Sequence, residues 1–437
     1  MQAIDTLIHA EWIIPIEPDE TILENHAVAI HDGLILELLT SEQARAKYSA
    51  TQSFDLERHV LMPGLINSHT HTAMSLLRGI ADDLPLMTWL QEHIWPAEQK
   101  WVSEDFVRDG SELAMAEMLR GGTTCFNDMY FFPEVTANSA AQCGIRAVIG
   151  LIVIDFPTAW GDGPDEYLEK GLKIHDQYRN SPHIHTAFAP HAPYTVSDAP
   201  LKRIQMLAEE LDIPIHMHIH ETAHEVDEAT EQSGMRPLQR LHNLGLLGPQ
   251  LTAVHMTQLN DDEIKLLAEY GASVVHCPES NLKLASGFCP VDKLMKAGVN
   301  VALGTDSAAS NNDLDMLGEA RTAALLSKGV SLDPTSLSAH QTLKMATLNG
   351  AKALGLGKIT GSIVAGKAAD LIAVDLSALE TNPIYNVASQ LIYSANRNQV
   401  REVWVNGEHL LRGGDLVTLD QEKLKQQAME WQGKIDQ

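Results

Sequence analysis

Short apolar runs alternate with helix-like stretches through the middle of this chain. That alternation is typical of a parallel β-sheet whose strands are connected by helices. The runs cover residues 60–68, 123–128, 145–154, 184–190, 213–220, 251–255, 273–276 and 300–306. Residues 105–120, 199–211 and 261–270 have the composition of connecting helices, and glycines follow the first and the third.

Eight strand–helix units in succession predict an α/β fold, a closed (β/α)8 barrel of the TIM type. An open, doubly wound sheet is the alternative architecture. It is disfavoured because the Gly-rich phosphate-binding motif expected after a first strand is absent.

The two ends of the chain have a different pattern, in which short strands are separated by turns. Asp32-Gly33 stands between two apolar runs, which is a strong hairpin signal. Residues 369–375 and 400–411 have the same strand–turn–strand character. We therefore predict a small β-sandwich domain formed by residues 1–59 and by residues 365–437, which also supply a terminal helix. The catalytic barrel is predicted to occupy residues 60–364.

Polar residues end almost every apolar run of the barrel. In barrel enzymes the catalytic groups lie at the carboxyl ends of the strands. A single polar residue at a strand end is more often a turn former or a helix cap, so the recurrence carries the argument. The residues concerned are His69, His71, Asn127, Asp128, Asp155, His191, His218, Glu221, His255, His276 and Asp306.

Histidines at two of these ends suggest a metal site. His69 and His71 are one residue apart and project from the same face of a strand. The run at 213–220 carries three histidines of one parity, so alternation does not choose among them. His69, His71, one of these histidines and Asp306 would form the three-histidine, one-carboxylate set of a catalytic zinc site. Glu221 would then be placed to exchange protons with an activated water.

Charge and cysteine content limit the partners. The chain has 58 acidic and 31 basic residues, a formal charge of -27, which opposes binding to nucleic acid and to anionic membranes. A neutral or zwitterionic small molecule is compatible with it. The N-terminal residues lack the features of a secretion signal, and no apolar run approaches the roughly 18 residues of a membrane span. Four widely spaced cysteines are typical of reduced thiols, so the expected location is cytoplasmic.

Several motifs together resemble the amidohydrolase superfamily. They are Pro63-Gly-Leu-Ile-Asn-Ser-His69-Thr-His71, His218-Ile-His-Glu221, His255 and Gly304-Thr-Asp306-Ser. In the deaminase-like branch the fifth-strand ligand and the acid–base glutamate are three residues apart, which implies His218 as the ligand. A two-metal site would need a lysine after the fourth run, where His191 stands instead. The resemblance therefore implies one divalent metal per subunit, Zn²⁺ first, with Fe²⁺ or Mn²⁺ as alternatives.

Finer motifs are similar to those of the 5-methylthioadenosine/S-adenosylhomocysteine deaminases. They are Ser75-Leu-Leu-Arg78-Gly, Trp89 followed nine residues later by Glu98, Pro190-His191-Ala-Pro-Tyr194, Ser280-Asn-Leu-Lys-Leu-Ala-Ser-Gly, and the stretch from Asp306 to Asp315. The resemblance implies deamination of the adenine ring of 5′-thio-substituted adenosines, with adenosine and 5′-deoxyadenosine as further substrates. It also implies a homo-oligomer, a dimer or a tetramer.

The same resemblance assigns roles to individual residues. Glu221, His255 and Asp306 are the expected catalytic groups, and Asp306 is also the fourth metal ligand, with its second oxygen free to accept a proton. Glu98 is expected to bind the ribose hydroxyls and His191 the purine. Trp89 is expected to flank the 5′ substituent, with plain core packing as an equal alternative.

Two other functions are compatible with parts of the pattern. One is a different hydrolase on the same scaffold, acting on guanine, cytosine, a pterin or an aminotriazine. The presence of both Glu221 and Glu98 favours the nucleoside interpretation over it. The other is a non-catalytic scaffold protein, which the complete set of metal-binding and acid–base residues disfavours.

Overall fold

The computed structural model describes residues 1–436, which form two sheets surrounded by helices. The strands are β1 (Gln2–Ile13), β2 (Leu23–His31), β3 (Leu34–Thr40), β4 (Tyr48–Pro63), β5 (Leu65–Thr70), β6 (Thr123–Asp128), β7 (Arg146–Val153), β8 (Ile184–Pro190), β9 (Ile215–Ile219), β10 (Leu251–His255), β11 (Ser273–His276), β12 (Asn300–Leu303), β13 (Leu371–Asp375), β14 (Val400–Val405), β15 (Glu408–Arg412) and β16 (Asp415–Leu416).

Most of the α-helices connect strands of the second sheet. The full set within residues 1–436 is α1 (Ser41–Lys47), α2 (Leu86–Thr88), α3 (Trp95–Trp101), α4 (Glu104–Arg120), α5 (Pro133–Cys143), α6 (Pro164–Tyr178), α7 (Asp198–Leu211), α8 (Ala223–Ser233), α9 (Pro237–Asn243), α10 (Asp261–Tyr270), α11 (Pro278–Lys283), α12 (Val291–Lys296), α13 (Met316–Ser331), α14 (Ala339–Lys344), α15 (Gly350–Ala353), α16 (Val387–Tyr393) and α17 (Gln421–Ile435). The stretches predicted as connecting helices correspond to α4, α7 and α10.

Strands β5 to β12 form the barrel. Each pairs in parallel with the next in the chain, and their residues are almost all buried. Burial on both faces explains why these strands appear in the sequence as continuous apolar runs. The Asp306 N–H donates to the His69 carbonyl at 3.0 Å, and the Thr305 N–H donates to the Asn67 side chain at 3.0 Å. These bonds join the last strand to the first, as the predicted barrel requires.

The first predicted run divides between the two sheets. Residues Val60 to Pro63 complete β4, which pairs with β13 in the terminal sheet, and the barrel strand begins only at Leu65. Gly64 makes the crossing possible, because a side chain there would collide with Thr124. The prediction of one barrel strand over residues 60–68 is therefore wrong at its start.

Strands from both ends of the chain form the other sheet, in the order β16-β15-β14-β13-β4-β1-β2-β3. The predicted hairpin at Asp32-Gly33 joins β2 to β3, with His31 opposite Leu34. Side chains of β1, β2, β4, β13 and β14 share one buried cluster, so this sheet has a small hydrophobic core of its own. The two chain ends thus form one unit beside the barrel, as predicted.

A buried ion pair joins this unit to the barrel. Arg146, on β7, donates to both oxygens of Asp370, which precedes β13, at 2.7 and 3.1 Å. Both side chains are almost completely buried, with 1% and 0% of their surface exposed. Asp370 also accepts from the Asn406 N–H at 2.7 Å. Each buried charge is therefore compensated by its partner.

No helix within residues 1–436 is both long enough and apolar enough to cross a membrane.

Candidate active site

Four side chains from three strand ends converge at the carboxyl end of the barrel. His69 and His71 come from the end of β5, His218 from β9 and Asp306 from the loop after β12. The Nε2 atoms of His69 and His218 lie 3.1 Å apart. The Oδ1 atom of Asp306 lies 3.3 Å from Nε2 of His69 and 3.2 Å from Nε2 of His71. The structure thus brings together the four residues predicted as metal ligands.

The donor set fits a zinc ion in kind and in spacing. Tetrahedral coordination with Zn–N distances of about 2.0–2.1 Å requires ligand atoms about 3.3 Å apart. His71 Nδ1 lies 2.5 Å from the carbonyl oxygen of Met129. Because a carbonyl only accepts, Nδ1 carries a proton, and Nε2 is the ring atom that could bind a metal. That these side chains bind one divalent metal stays a prediction, which their chemistry supports.

Buried polar groups hold His69 from below. Its Nδ1 lies 2.8 Å from Nε2 of His216, and Nδ1 of His216 lies 2.9 Å from the side-chain amide of Asn127. The same amide donates to the carbonyl of Ser68 at 3.1 Å. His216 therefore lies deeper in the barrel than His218, as expected for a residue two positions earlier on the same strand. It supports His69, a predicted metal ligand.

The second oxygen of Asp306 is not free, and on this point the prediction is wrong. Its Oδ2 accepts hydrogen bonds from the hydroxyls of Ser280 at 2.6 Å and Ser310 at 3.0 Å. Its Oδ1 accepts from the Ser307 N–H at 2.8 Å. These donors fix the carboxylate, and a proton arriving on Oδ2 would have to displace one of the two hydroxyls.

Glu221 and His255 lie beside the four converging side chains. The Glu221 carboxylate lies 3.9 Å from Nε2 of His255 and faces the cavity above the barrel. Burial raises the pKa of the Glu221 carboxyl above its ordinary value, which suits a group that must both accept and return a proton. His255 is held through Nδ1, 2.9 Å from the side-chain oxygen of Asn281. Glu221 and His255, both predicted as catalytic, therefore line the same cavity.

A cavity of about 540 Å³ extends from this point to Glu98 on α3. The Tyr130 hydroxyl donates to the Glu98 carboxyl at 2.7 Å. Burial raises the pKa of Glu98 to about 7, against the lowering effect of that hydrogen bond. Trp89, on a π-helical turn (Trp89–Ile94), lines the cavity and also packs into a buried apolar cluster. Both alternatives considered for Trp89 thus have a structural basis.

His191 lines the same cavity. Its ring centre lies 4.9 Å from that of His218, and its Nδ1 lies 3.0 Å from the Thr195 hydroxyl. Burial lowers the pKa of His191 to about 3, so the imidazole is neutral near pH 7. A neutral ring held in this way can donate or accept one directed hydrogen bond.

Sequence reasoning missed some residues that shape this site. Tyr130 follows the end of β6 by two positions, so the strand-end pattern contained a signal for it. Ser280 and Ser310 stand in motifs that were recognised, but nothing in their spacing shows that both reach Asp306. Glu225 looks like an ordinary helix-surface glutamate, although only 8% of its surface is exposed.

Comparison with known proteins identifies the family to which the chain belongs. The model of the family described as "Amidohydrolase family" matches residues 60–410. The chain belongs to the amidohydrolase family. A 5-methylthioadenosine/S-adenosylhomocysteine deaminase of Saccharophagus degradans is 53% identical to it over 431 residues, covering 99% of this chain and 97% of the relative. One of the same name from Teredinibacter turnerae is 50% identical over 432 residues, covering 99% and 98%.

Two solved structures superpose closely on the chain. The crystal structure of an adenosine deaminase from Xanthomonas campestris with bound zinc has a TM-score of 0.99 and 54% identity, covering 100% of this chain and 99% of that one. An atrazine chlorohydrolase from Arthrobacter aurescens, at 24% identity, has a TM-score of 0.90 and covers 98% and 99%, which shows a shared fold. The predicted family and barrel are confirmed.

Proposed function

We propose that the protein is a metal-dependent aminohydrolase that deaminates the adenine ring of 5′-thio-substituted adenosines and releases ammonia. 5′-Methylthioadenosine would give 5′-methylthioinosine, and S-adenosylhomocysteine would give S-inosylhomocysteine. One observation carries the proposal: a single cavity is lined by an acid–base carboxyl, a metal-competent donor set and a second buried carboxyl, Glu98. The names of relatives at 50% identity and above support it.

Glu221 is the proposed proton-transfer residue. A divalent metal held by His69, His71, His218 and Asp306 would supply Lewis-acid activation of the attacking water. Glu221 accepts a proton from that water and delivers it to purine N1, which makes C6 electrophilic. Glu221 suits this role because its carboxylate faces the cavity with a raised pKa.

His255 and Asp306 complete the reacting end. His255, 3.9 Å from Glu221, orients the attacking oxygen by a hydrogen bond. Asp306 holds its place in the donor set through Oδ1, while Ser280 and Ser310 pin its other oxygen. The second proton of the attacking water passes to the amino nitrogen at C6, which leaves as ammonia. A transfer of that proton through Oδ2 of Asp306 would need one of the two serine hydroxyls to turn away.

The remaining contacts orient the nucleoside. Glu98 accepts hydrogen bonds from both ribose hydroxyls, which a carboxylate can do because it is an acceptor through two oxygens. His191 bonds the purine edge, and Trp89 packs against the 5′ substituent. A free nucleobase such as guanine or cytosine would offer Glu98 no ribose hydroxyls and leave Tyr130 as its donor, so Glu98 favours a nucleoside over these substrates. The predicted dimer or tetramer and the cytoplasmic location stay predictions.

A substrate panel tests the proposal. We expect metal-replete protein to deaminate methylthioadenosine, with kcat/KM about tenfold above that for S-adenosylhomocysteine. The reason is that no lysine or arginine of residues 1–436 lines the cavity, so the charged amino-acid end of the latter lacks a partner there. Ultraviolet absorbance and ammonia release would be followed for both, and for adenosine, 5′-deoxyadenosine, guanine and cytosine. The absence of turnover of every adenosine derivative would contradict the proposal.

The pH dependence of KM tests the role of Glu98. Because the pKa of Glu98 is raised to about 7, the carboxyl gains a proton as the pH falls through that value and loses acceptor capacity. KM for methylthioadenosine should therefore rise below about pH 7, approaching tenfold per pH unit. In Glu98→Gln, KM should be high and nearly independent of pH. A flat KM in the unmodified protein would remove Glu98 from ribose binding.

A further inference from the structure

The turn that carries Glu221 is short and sharply bent. Only three residues separate the end of β9 from the start of α8, and Glu221 is the middle one. His220 has a φ of 54°, in the left-handed region that non-glycine residues seldom adopt. Such a conformation persists only where the surroundings hold it.

Glu225 accepts hydrogen bonds from two backbone N–H groups of this turn. Its Oε1 accepts from the His220 N–H at 3.0 Å, and its Oε2 accepts from the Glu221 N–H at 2.7 Å. Glu225 lies in the first turn of α8, where the capping residue Thr222 accepts from its N–H at 3.3 Å. A glutamate at this position usually reaches back to the capping residue itself. Here it passes that residue and binds the two before it.

Thr257 donates hydrogen bonds to two backbone carbonyls of the same turn. Its N–H donates to the His220 carbonyl at 3.0 Å, and its hydroxyl donates to the Glu221 carbonyl at 2.7 Å. Thr257 follows the end of β10, whose last residue is His255. The turn is therefore tied to the neighbouring strand end at the point from which His255 projects.

The Glu221 carboxylate has no comparable support of its own. Within residues 1–436 its oxygens accept no hydrogen bond, and its polar neighbour is His255 at 3.9 Å. Its position is therefore set by its own backbone. A shift of about 1 Å in a catalytic group can cost about 10²-fold in rate.

We propose that Glu225 is a positioning residue for Glu221: with Thr257 it fixes the backbone from which the proton-transferring carboxylate projects. This inference rests on the proposed function, because it assumes that Glu221 moves protons. Glu225 itself is directed toward the backbone and takes no part in ligating the metal or in binding the nucleoside.

The test compares Glu225→Gln with Glu228→Gln. Glu228 is on the same helix and 51% exposed, so it controls for the loss of a negative charge on α8. In Glu225→Gln the amide NH₂ would face a backbone N–H, so the turn should shift. We expect kcat for methylthioadenosine to fall about 10- to 100-fold, with KM within about twofold and unchanged metal content. Glu228→Gln should behave like the unmodified protein.

A second pair of variants acts on the other side of the turn. Thr257→Val removes the hydroxyl, and Thr257→Ser keeps it. The valine variant should lose kcat selectively, and the serine variant should recover it. If Glu225→Gln does not fold, this pair decides the question. An unchanged kcat in both Glu225→Gln and Thr257→Val, or a loss of metal or a rise in KM as the main effect, would overturn the proposal.

Hydrogen exchange separates this inference from the proposed function. The amides of His220 and Glu221 should exchange faster in Glu225→Gln than in Glu228→Gln, whatever the substrate is. If the unmodified protein deaminates no adenosine derivative, the proposed function fails while the exchange comparison still reports on the turn. Equal exchange in the two variants would overturn the positioning role directly.

Discussion

Glu221→Gln is expected to lower kcat by about 10³-fold while the protein keeps its metal. General acid–base groups typically contribute 10²- to 10⁴-fold, and glutamine has nearly the shape of glutamate but cannot carry the proton. Because the Glu221 side chain is outside the converging His69, His71, His218 and Asp306 donors, metal content by elemental analysis should not change. Steady-state kinetics with methylthioadenosine would measure the loss.

Two further variants make this result specific. Glu231→Gln, on the exposed side of the following helix, should retain full activity. His69→Ala should instead lose metal, because it removes a central donor of the set. An active Glu221→Gln enzyme would exclude Glu221 from the proton relay, and full metal occupancy in His69→Ala would refute the ligand assignment.

Asp370→Asn is expected to lower the free energy of unfolding by about 3–5 kcal/mol, because it leaves a buried guanidinium without its counter-charge. Arg146 and Asp370 form a two-pronged pair with 1% and 0% of their side chains exposed. Burial raises the pKa of Asp370, but the Arg146 charge and the hydrogen bonds outweigh it and lower the pKa overall. The contribution of the pair is therefore present at neutral pH and is lost on acidification below the ordinary carboxyl pKa.

Denaturant unfolding at equal protein and metal concentrations would measure this effect. The matched control is Asp165→Asn, which breaks an arginine–aspartate pair with Arg203 in which Asp165 is 98% exposed; no measurable change is expected there. The double variant Arg146→Met, Asp370→Leu should recover much of the lost stability, because it removes both charges. An Asp370→Asn protein as stable as the unmodified one would show that solvent reaches the pair.

The sequence pattern predicted the barrel well because its strands are buried on both faces and its chemistry recurs at strand ends. His69, His71 and Asp306 could be grouped before the structure because they stand at the ends of two apolar runs, and the family resemblance added His218 from a third. The pattern failed at Gly64, since an apolar run gives no sign of passing from one sheet into another. The pairing of residues 60–63 with β13 reveals the crossing, and the close packing of Gly64 against Thr124 explains it.

The contacts that fix Asp306 were beyond prediction. Ser280 reaches Asp306 from helix α11 and Ser310 from four residues further along the loop after β12, and a pattern of single residues does not encode such convergence. The parity of β9 left His216, His218 and His220 equivalent, and family resemblance chose among them. Glu225 was missed for a related reason: its sequence environment is polar and helical, and its burial comes from folding back over the turn.

The hydrogen bond from the Asp306 N–H to the His69 carbonyl joins the last barrel strand to the first. The same two residues belong to the converging donor set, so the set is complete only in a chain whose barrel has closed. An ion bound there would favour the closed chain over every partly folded form by mass action. Removal of that ion would then lower the free energy of unfolding, with its effect at the seam between β12 and β5.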